Sequence, residues 1–306
     1  MLSSFSKPEY LFQPRVAVRQ LGRLLLRRPA PEAAVIELPW GVPISVQPRQ
    51  AIGGCLYRSS IYDLIVTEAV SRLVAEADAC VDCGANIGYV TSLMAVRAGK
   101  EGGVHAFEAH PGIFQQLAGN AARWAGVCDI LLTCCGVSDS DQSARLWLPD
   151  EFAVDRGGSS LEAQGFGGAP PRKSIEIKAR RLDDILPAPV RIGVMKIDVE
   201  GHEAAVFRGM AGMLGGKRIR DIVFEEWKPH PAETHELLRE HRFTIFSLGQ
   251  RLTGPLLLPA DAAPGRRSYD PINYLATLDP HRAVDLFRGR GWTCLSRSVR
   301  RPDALA

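Results

Sequence analysis

The stretch Asp82–Gly88, with the sequence DCGANIG, constrains the fold of this chain more than any other. The apolar run ACVDC at its start predicts a short buried strand, and GYVTSLMAVRAG at its end predicts a helix. Gly84 and Gly88 permit a tight turn and a close approach of the backbone to a ligand. The stretch therefore predicts a strand–turn–helix unit of the type that binds nucleotide-like cofactors, although a turn without a ligand fits the same spacing.

From about residue 78, runs typical of strands and helices alternate along the chain. The further predicted strands have the sequences GGVHAFE, DILLTCCGV, SIEIKARRLDDIL, RIGVMKIDVE and IRDIVFEEW. Such alternation implies a mostly parallel sheet with helices on both faces, and the right-handed crossover rule makes the sheet doubly wound. We therefore predict a Rossmann-like α/β fold. The net charge is only +3, so electrostatics does not call for a nucleic-acid partner.

The remaining segments divide the chain into three predicted parts. Residues 1–60 form an N-terminal extension with a basic helix and a β-hairpin around LPWG, residues 61–280 form the main domain, and residues 281–306 form an Arg-rich tail. Within the main domain, residues 148–172 are rich in glycine and proline. A loop of this length in a compact domain is usually a lid, a binding loop or disordered.

The basic helix is predicted within residues 15–28, where Arg15, Arg19, Arg23 and Arg27 recur four apart. Two interpretations stay open: the helix packs on the main domain, or it contacts an anionic membrane surface or a partner.

Cellular location is predicted from what the sequence lacks. It contains no apolar run of about 18 residues and no convincing export signal. Its seven cysteines mostly fall in apolar runs, which favours free thiols in a reducing compartment. We expect a cytoplasmic protein, with peripheral membrane contact under the second interpretation of the basic helix.

The middle position of the turn, Asn86, bears on the cofactor. Dinucleotide-binding loops have glycine at this position because the pyrophosphate lies against the backbone, and a side chain would crowd it. S-adenosylmethionine has no phosphate, so we expect it to fit the turn Gly84-Ala85-Asn86. Asp82, at the strand end, is expected to accept a hydrogen bond from the ammonium group of the ligand or to order water beside it.

Two further strand ends carry candidate cofactor contacts. Glu108 closes the second strand, 24 residues after Gly84, where an acidic residue is placed to accept both ribose hydroxyls. Ser138 and Asp139 follow the third strand and would line the adenine side of the site, or would cap a turn.

The segment KIDVEGHE places Asp198, Glu200, His202 and Glu203 at a strand-to-helix junction. This edge of the sheet faces the cofactor crevice, so these residues are candidates for the site that binds the methyl acceptor.

Taken together, the segments DCGANIG, FEAHP, VSD, RLDD and KIDVEGHE resemble the FkbM family of S-adenosylmethionine-dependent methyltransferases, over about residues 35–250. One departure is Ala109, where the family commonly has proline. The resemblance implies a class I methyltransferase fold and O-methylation of a hydroxyl group. The acceptor that it implies is a small molecule, a sugar or glycan, or a lipid-linked compound, and no particular one is indicated.

Methyl transfer to a hydroxyl needs a positioned base, and His202 and Asp198 are both candidates. Glu200 belongs to the same group of acceptor-site residues. A divalent ion is the further option, because Asp198, Glu200 and either Glu225 or Glu226 offer the oxygen ligands that Mg²⁺ prefers.

Two other functions are alternatives to methyl transfer. An NAD-linked oxidoreductase on a similar sheet is disfavoured by Asn86. A non-catalytic binding protein that retains the fold is disfavoured by the acidic and histidine residues of KIDVEGHE.

Overall fold

The computed structural model of the chain describes residues 7–25, 29–149, 157–162, 173–186, 188–228, 230–262 and 271–295. Most of the predicted loop 148–172, residues 26–28 of the predicted basic helix and the tail after residue 295 lie outside the described residues.

Strands and helices alternate through most of the described chain. The strands are β1 (Ala34–Glu37), β2 (Pro43–Val46), β3 (Ala79–Cys83), β4 (Gly103–Phe107), β5 (Asp129–Thr133), β6 (Gly136–Val137), β7 (Gln142–Leu148), β8 (Lys173–Arg180), β9 (Ile192–Ile197), β10 (Ile219–Glu226), β11 (Thr244–Arg251), β12 (Gly254–Pro259) and β13 (Ile272–Thr277). The helices are α1 (Pro8–Leu11), α2 (Pro14–Leu25), α3 (Ala51–Ser59), α4 (Leu64–Leu73), α5 (Tyr89–Ala98), α6 (Pro111–Ala121), α7 (Leu182–Ile185), α8 (Glu203–Arg208), α9 (Ala211–Gly215), α10 (Glu233–Glu240) and α11 (Pro280–Arg288).

The central sheet has eight strands in the order β12-β11-β13-β10-β9-β3-β4-β5. From β5 to β10 all neighbours are parallel, whereas β13 is antiparallel to both β10 and β11. The chain runs from β3 to β4 and β5 on one side and continues with β9 and β10 on the other. Ligands of open α/β sheets bind at the carboxyl ends of the strands beside such a reversal. The predicted doubly wound, mostly parallel sheet is therefore confirmed.

A second, three-stranded sheet differs from the expected arrangement. We expected the run SIEIKARRLDDIL to supply a strand of the main series, but its strand β8 lies between β6 and β7 in a separate sheet. The reason is the strand β7, which pairs with β8 antiparallel along its whole length. Because Gly136, Leu146 and Trp147 of this sheet line the central cavity, the small sheet forms one wall of the candidate site.

The hairpin β1–β2 forms around LPWG, as predicted, and it packs into the main hydrophobic core together with α4 and α5. Trp40 at the turn is only 1% exposed, and its Nε1 donates to Ser92 Oγ at 3.0 Å. Trp124 Nε1 donates to the Pro43 carbonyl at 2.6 Å. The hairpin is thus continuous with the core, and a boundary at residue 60 stays a prediction.

The predicted basic helix is confirmed over its described part as α2, which packs against α3. In the described part of the chain, no helix is both long enough and apolar enough to span a bilayer. The seven cysteines are all free thiols, as expected.

Candidate active site

The candidate active site is a cavity of about 620 Å³ at the carboxyl ends of the central strands. Two groups of residues stand out in its lining: the glycine turn after β3 with Glu108 after β4, and the residues after β9 and on β10. The segment 157–162, the start of α4 and residues of the small sheet also line the cavity.

The glycine turn packs directly on the segment that follows β9. Gly84 has φ +74°, and a Cβ added there would lie 1.9 Å from the Asp198 carbonyl oxygen. Gly88 has φ +91° at the start of α5, and its Cβ would lie 2.7 Å from a methyl carbon of Leu117. Both positions therefore exclude a side chain on two grounds, backbone conformation and space.

Asn86 adopts the left-handed conformation, with φ +50°, which asparagine tolerates better than most residues. Its side-chain Oδ1 accepts from the Ile87 N–H at 2.8 Å, and its own N–H donates to Glu108 Oε2 at 2.9 Å. The asparagine therefore holds the turn and ties it to the end of β4.

Glu108 lies in the cavity wall and is only 7% exposed. Its two carboxylate oxygens accept from the backbone N–H groups of Asn86 and His110, at 2.9 and 2.8 Å. Burial raises the pKa of Glu108 to about 7, although the two hydrogen bonds oppose this shift. Each carboxylate oxygen has a further lone pair, so the group can still accept from a pair of hydroxyls.

Asp82 is fully buried and does not line the cavity. It accepts from Thr91 Oγ1 at 2.6 Å and lies 3.7 Å from Lys196 Nζ. Lys196 does line the cavity, and its Nζ donates to the Gly84 carbonyl at 2.9 Å and lies 3.2 Å from Asp198. Burial alone would lower the pKa of Lys196, but Asp198 and Asp82 raise it overall. Asp82 is thus positioned to orient Lys196. Because Asp82 does not line the cavity, it does not make the direct contact with the ligand that we expected.

Three of the candidate metal ligands predicted from the sequence converge in the cavity. Ligand atoms of Asp198, Glu200 and Glu225 all lie within 4.8 Å of one another. Burial, together with the neighbouring Asp198 and Glu200, raises the pKa of Glu225. Glu226 was the alternative candidate, and it points away, because successive strand residues face opposite sides of a sheet. Its oxygens accept from Lys228 N–H and Thr234 Oγ1.

His202 lies outside the lining of the cavity. Its Nε2 is 2.9 Å from Ser138 Oγ, and its Nδ1 is 2.7 Å from Glu162 Oε1. Glu162 is the member of this group that lines the cavity. Ser138 is buried beside His202, and Asp139 is exposed and pairs with Arg208 at 3.2 Å, so neither of them lies where we expected an adenine contact.

The lining also contains residues that the sequence motifs did not indicate. Tyr62 and Asp63 come from the turn before α4, where Asp63 Oδ1 caps the helix by accepting from Val66 N–H at 3.1 Å. Asn273 on β13 donates to Asp63 Oδ2 at 3.2 Å. The one signal in the sequence was the aspartate before the helical run LIVTEAV, which is typical of a helix start.

Comparison with known proteins gives the family. The model of the methyltransferase FkbM domain matches residues 82–252, which is more than half of the chain. The methyltransferase sdnD of Sordaria araneosa is 28% identical over 176 residues, covering 49% of this chain and 66% of that protein. The hexuronic acid methyltransferase AglP of Haloferax volcanii is 31% identical over 163 residues, covering 50% of this chain and 60% of that protein. The match thus spans less than two thirds of either relative.

Two solved structures are similar at low sequence identity. The methyltransferase FkbM from Methylobacillus flagellatus KT is 15% identical, with a TM-score of 0.39, and the match covers 65% of this chain and 43% of that one. The fibrillarin of Aeropyrum pernix, in complex with S-adenosyl-L-methionine, is 14% identical, with a TM-score of 0.41, and the match covers 80% of this chain and 94% of that one.

The order of the central sheet and the family match agree with the class I methyltransferase fold expected from the sequence. The chain belongs to the FkbM methyltransferase family.

Proposed function

We propose that the protein is an S-adenosylmethionine-dependent O-methyltransferase. The observation that carries the proposal is the continuity of one cavity from Glu108 and the glycine turn to the carboxylates of Asp198, Glu200 and Glu225. A methyl donor beside the glycine turn and Glu108, which we call the donor end, and a hydroxyl acceptor beside these carboxylates, which we call the acceptor end, would meet within it.

The donor end suits S-adenosylmethionine better than a dinucleotide. Glu108 would accept from the ribose hydroxyls, and the backbone of the turn around Ala85 and Asn86 would contact the rest of the ligand. Among the described residues that line the cavity, Lys196 is the only cation, and its ammonium group is engaged with the Gly84 carbonyl and Asp198. A pyrophosphate would therefore find no free positive charge there, which disfavours the NAD-linked alternative.

Bound S-adenosylmethionine supplies an activated methyl group, so the chain has to orient the acceptor, exclude water and remove a proton. The hydroxyl oxygen forms the new bond to the methyl carbon as the bond from sulfur to that carbon breaks. We assign the proton to the Asp198 carboxylate, because Asp198 lines the cavity and His202 does not. Glu200 and Glu225 would accept hydrogen bonds from neighbouring hydroxyls of the acceptor.

The same three carboxylates are the candidate ligands of a Mg²⁺ ion. We favour their direct action on the acceptor and expect EDTA to leave turnover unchanged. A loss of turnover that Mg²⁺ restores would instead assign these carboxylates to a metal.

The acceptor is proposed to be a hydroxylated, sugar-like compound without an acidic group near the reacting hydroxyl. Carboxyl groups outnumber the one lysine of the described lining, and an anion placed beside those that are ionised would be repelled in a partly desolvated site. Those at the acceptor end are Asp63, Glu162, Asp198, Glu200 and Glu225. The name of the relative AglP specifies a hexuronic acid, and such an anion would be poorly accommodated here. If the acceptor is lipid-linked, residues 15–28 would provide contact with the membrane.

The test is incubation of cell extracts with isotope-labelled S-adenosylmethionine, with and without the protein, followed by mass spectrometry of labelled products. We expect a labelled methyl ether that forms with wild type, and that forms at least about 100-fold more slowly with the near-isosteric Asp198→Asn variant. Label on nitrogen or carbon, or on no product although the protein binds S-adenosylhomocysteine, would contradict O-methylation.

A further inference from the structure

Helix α2 docks on the domain through its arginine face. A guanidinium nitrogen of Arg19 donates to Ser60 Oγ at 3.1 Å, and one of Arg23 donates to the Tyr57 carbonyl at 2.8 Å. The guanidinium carbon of Arg23 also lies 3.8 Å from the centre of the Tyr57 ring. These arginines are therefore used to hold α2 on α3, and they do not face solvent as a free basic surface.

Elsewhere on α1, α2 and the turn between them, four large apolar side chains are exposed. Leu11 is 52% exposed, Phe12 47%, Val18 70% and Leu21 49%. These four residues, which we call the apolar N-terminal face, fall within eleven positions of the chain. The rest of the described chain contributes only five other large hydrophobic residues of comparable exposure. A cluster of this kind marks an interaction surface, whereas scattered exposed hydrophobic residues do not.

Positive charge flanks the apolar N-terminal face. The Lys7 side chain is 63% exposed, with its Nζ 4.0 Å from a carboxylate oxygen of Glu9, and Arg15 is exposed as well. An amphipathic helix with apolar residues beside exposed cations fits the interface of an anionic bilayer, which takes up the apolar side chains and attracts the cations. A second copy of the chain is a poorer occupant, because a symmetric contact would bring the same cations together.

The turn between α1 and α2 also lies near one wall of the cavity. Gln13, in this turn, donates from Nε2 to the Ser59 carbonyl at 3.4 Å. Ser59 ends α3, and the chain continues within three residues to Tyr62, which lines the cavity. Ile52 of α3 lines the cavity as well. A surface that holds α1 and α2 would therefore hold this wall of the cavity close to it.

We infer that the apolar N-terminal face docks on an anionic lipid bilayer and brings the cavity wall at Tyr62 to that surface. The inference rests on the proposed function only in taking the cavity as the site of methyl transfer. On that basis it limits the acceptor to compounds that are lipid-linked or held at a membrane. The docking itself does not require that methyl transfer be the reaction.

The test is co-sedimentation of the full chain with vesicles of phosphatidylcholine, with and without phosphatidylglycerol. We expect binding to the anionic vesicles, weakened by high salt, because salt screens the attraction to Lys7 and Arg15. The double variant Val18→Glu/Leu21→Glu should lose about tenfold or more in affinity, since it removes apolar burial and adds two like charges. Leu131→Glu is the matched control, because Leu131 is 58% exposed on β5 and should retain wild-type binding.

The inference would be overturned if the double variant and the control bind the anionic vesicles equally well. It would also be overturned if the wild-type protein stays in the supernatant in the presence of anionic vesicles. If the wild-type protein is a dimer in the absence of vesicles and the double variant is a monomer, the apolar N-terminal face would instead be a self-association surface. Binding of S-adenosylhomocysteine is measured on all variants. Its retention separates a failure of membrane docking from a failure of the proposed function.

Discussion

Glu108 combines a buried position with a task that requires charge. Burial raises its pKa to about 7, and ribose hydroxyls would donate to the ionised carboxylate. Ligand binding therefore favours the deprotonated form. We expect the affinity for S-adenosylhomocysteine to be constant above about pH 8 and to fall by up to about tenfold per unit as the pH drops below 7.

Calorimetric titration at pH 6, 7 and 8 checks this expectation, with Glu108→Gln as the matched variant. The variant should bind more weakly and with little pH dependence. Glu203 is the alternative titrating group, because burial raises its pKa to about 7 as well. Its carboxylate accepts from the backbone N–H groups of Val199 and Gly201, and it does not line the cavity. If Glu108→Gln keeps the wild-type pH dependence, the titrating group is not Glu108.

The sequence leaves both His202 and Asp198 as candidates for the base, and we favour Asp198 because it lines the cavity. His202 bonds to Glu162 of the segment 157–162, so it is expected to position that segment over the acceptor. His202→Ala should raise KM for the acceptor and change kcat by less than about tenfold, without removing a limb of the pH–rate profile. Asp198→Asn should lower kcat by about 100-fold or more.

Steady-state kinetics from pH 6 to 9 distinguishes the two roles. A collapse of kcat in His202→Ala, with loss of the acidic limb, would return the base assignment to His202.

At the level of elements, the hairpin β1–β2 is expected to be part of the folding unit of the main domain. Trp40 is almost fully buried, and its indole N–H donates to Ser92 on α5. Trp40→Ala should lower the free energy of unfolding by about 3–5 kcal/mol, because a large cavity would remain. Trp40→Phe keeps most of the volume and loses the hydrogen bond, so its cost should be nearer about 1 kcal/mol.

Urea unfolding followed by circular dichroism measures both variants. A single transition that shifts to lower urea in Trp40→Ala is the expected result. A transition that matches wild type would mean that the hairpin is separate from the main core.

The elements that could be predicted from the sequence are those whose signals are local. The strand before DCGANIG, the helix after it and the hairpin at LPWG follow from periodicity and turn residues within a few positions. The sheet β6-β8-β7 could not be predicted, because it depends on pairing between β7 and β8, which are not adjacent in the sequence. At the site, local motifs indicated Glu108 and Asp198, whereas Tyr62 and Asn273 reach the cavity only through tertiary packing.

The molecule as a whole brings two chemically different groups of residues together in one cavity. The proposed donor end consists of a backbone turn and one buried glutamate, and both follow from motifs in the sequence. The proposed acceptor end draws on α4, β9, β10, β13 and the segment 157–162, which lie far apart in the chain. The candidate contacts of the cofactor could therefore be predicted from local motifs. The sequence left two candidates for the base, and the carboxyl-rich wall of the proposed acceptor end could not be predicted, because it depends on how distant segments pack.

The most direct measurement is calorimetric binding of S-adenosylhomocysteine to wild type and to Glu108→Ala at pH 8, with NAD⁺ as the competing ligand class. We expect wild type to bind S-adenosylhomocysteine and to show no heat with NAD⁺ at about 1 mM. Glu108→Ala should bind at least about 10-fold more weakly, since each hydrogen bond to a charged acceptor contributes about 1.5–3 kcal/mol. Absence of S-adenosylhomocysteine binding at about 1 mM, or tighter binding of NAD⁺, would contradict assignment of this cavity to a methyl donor.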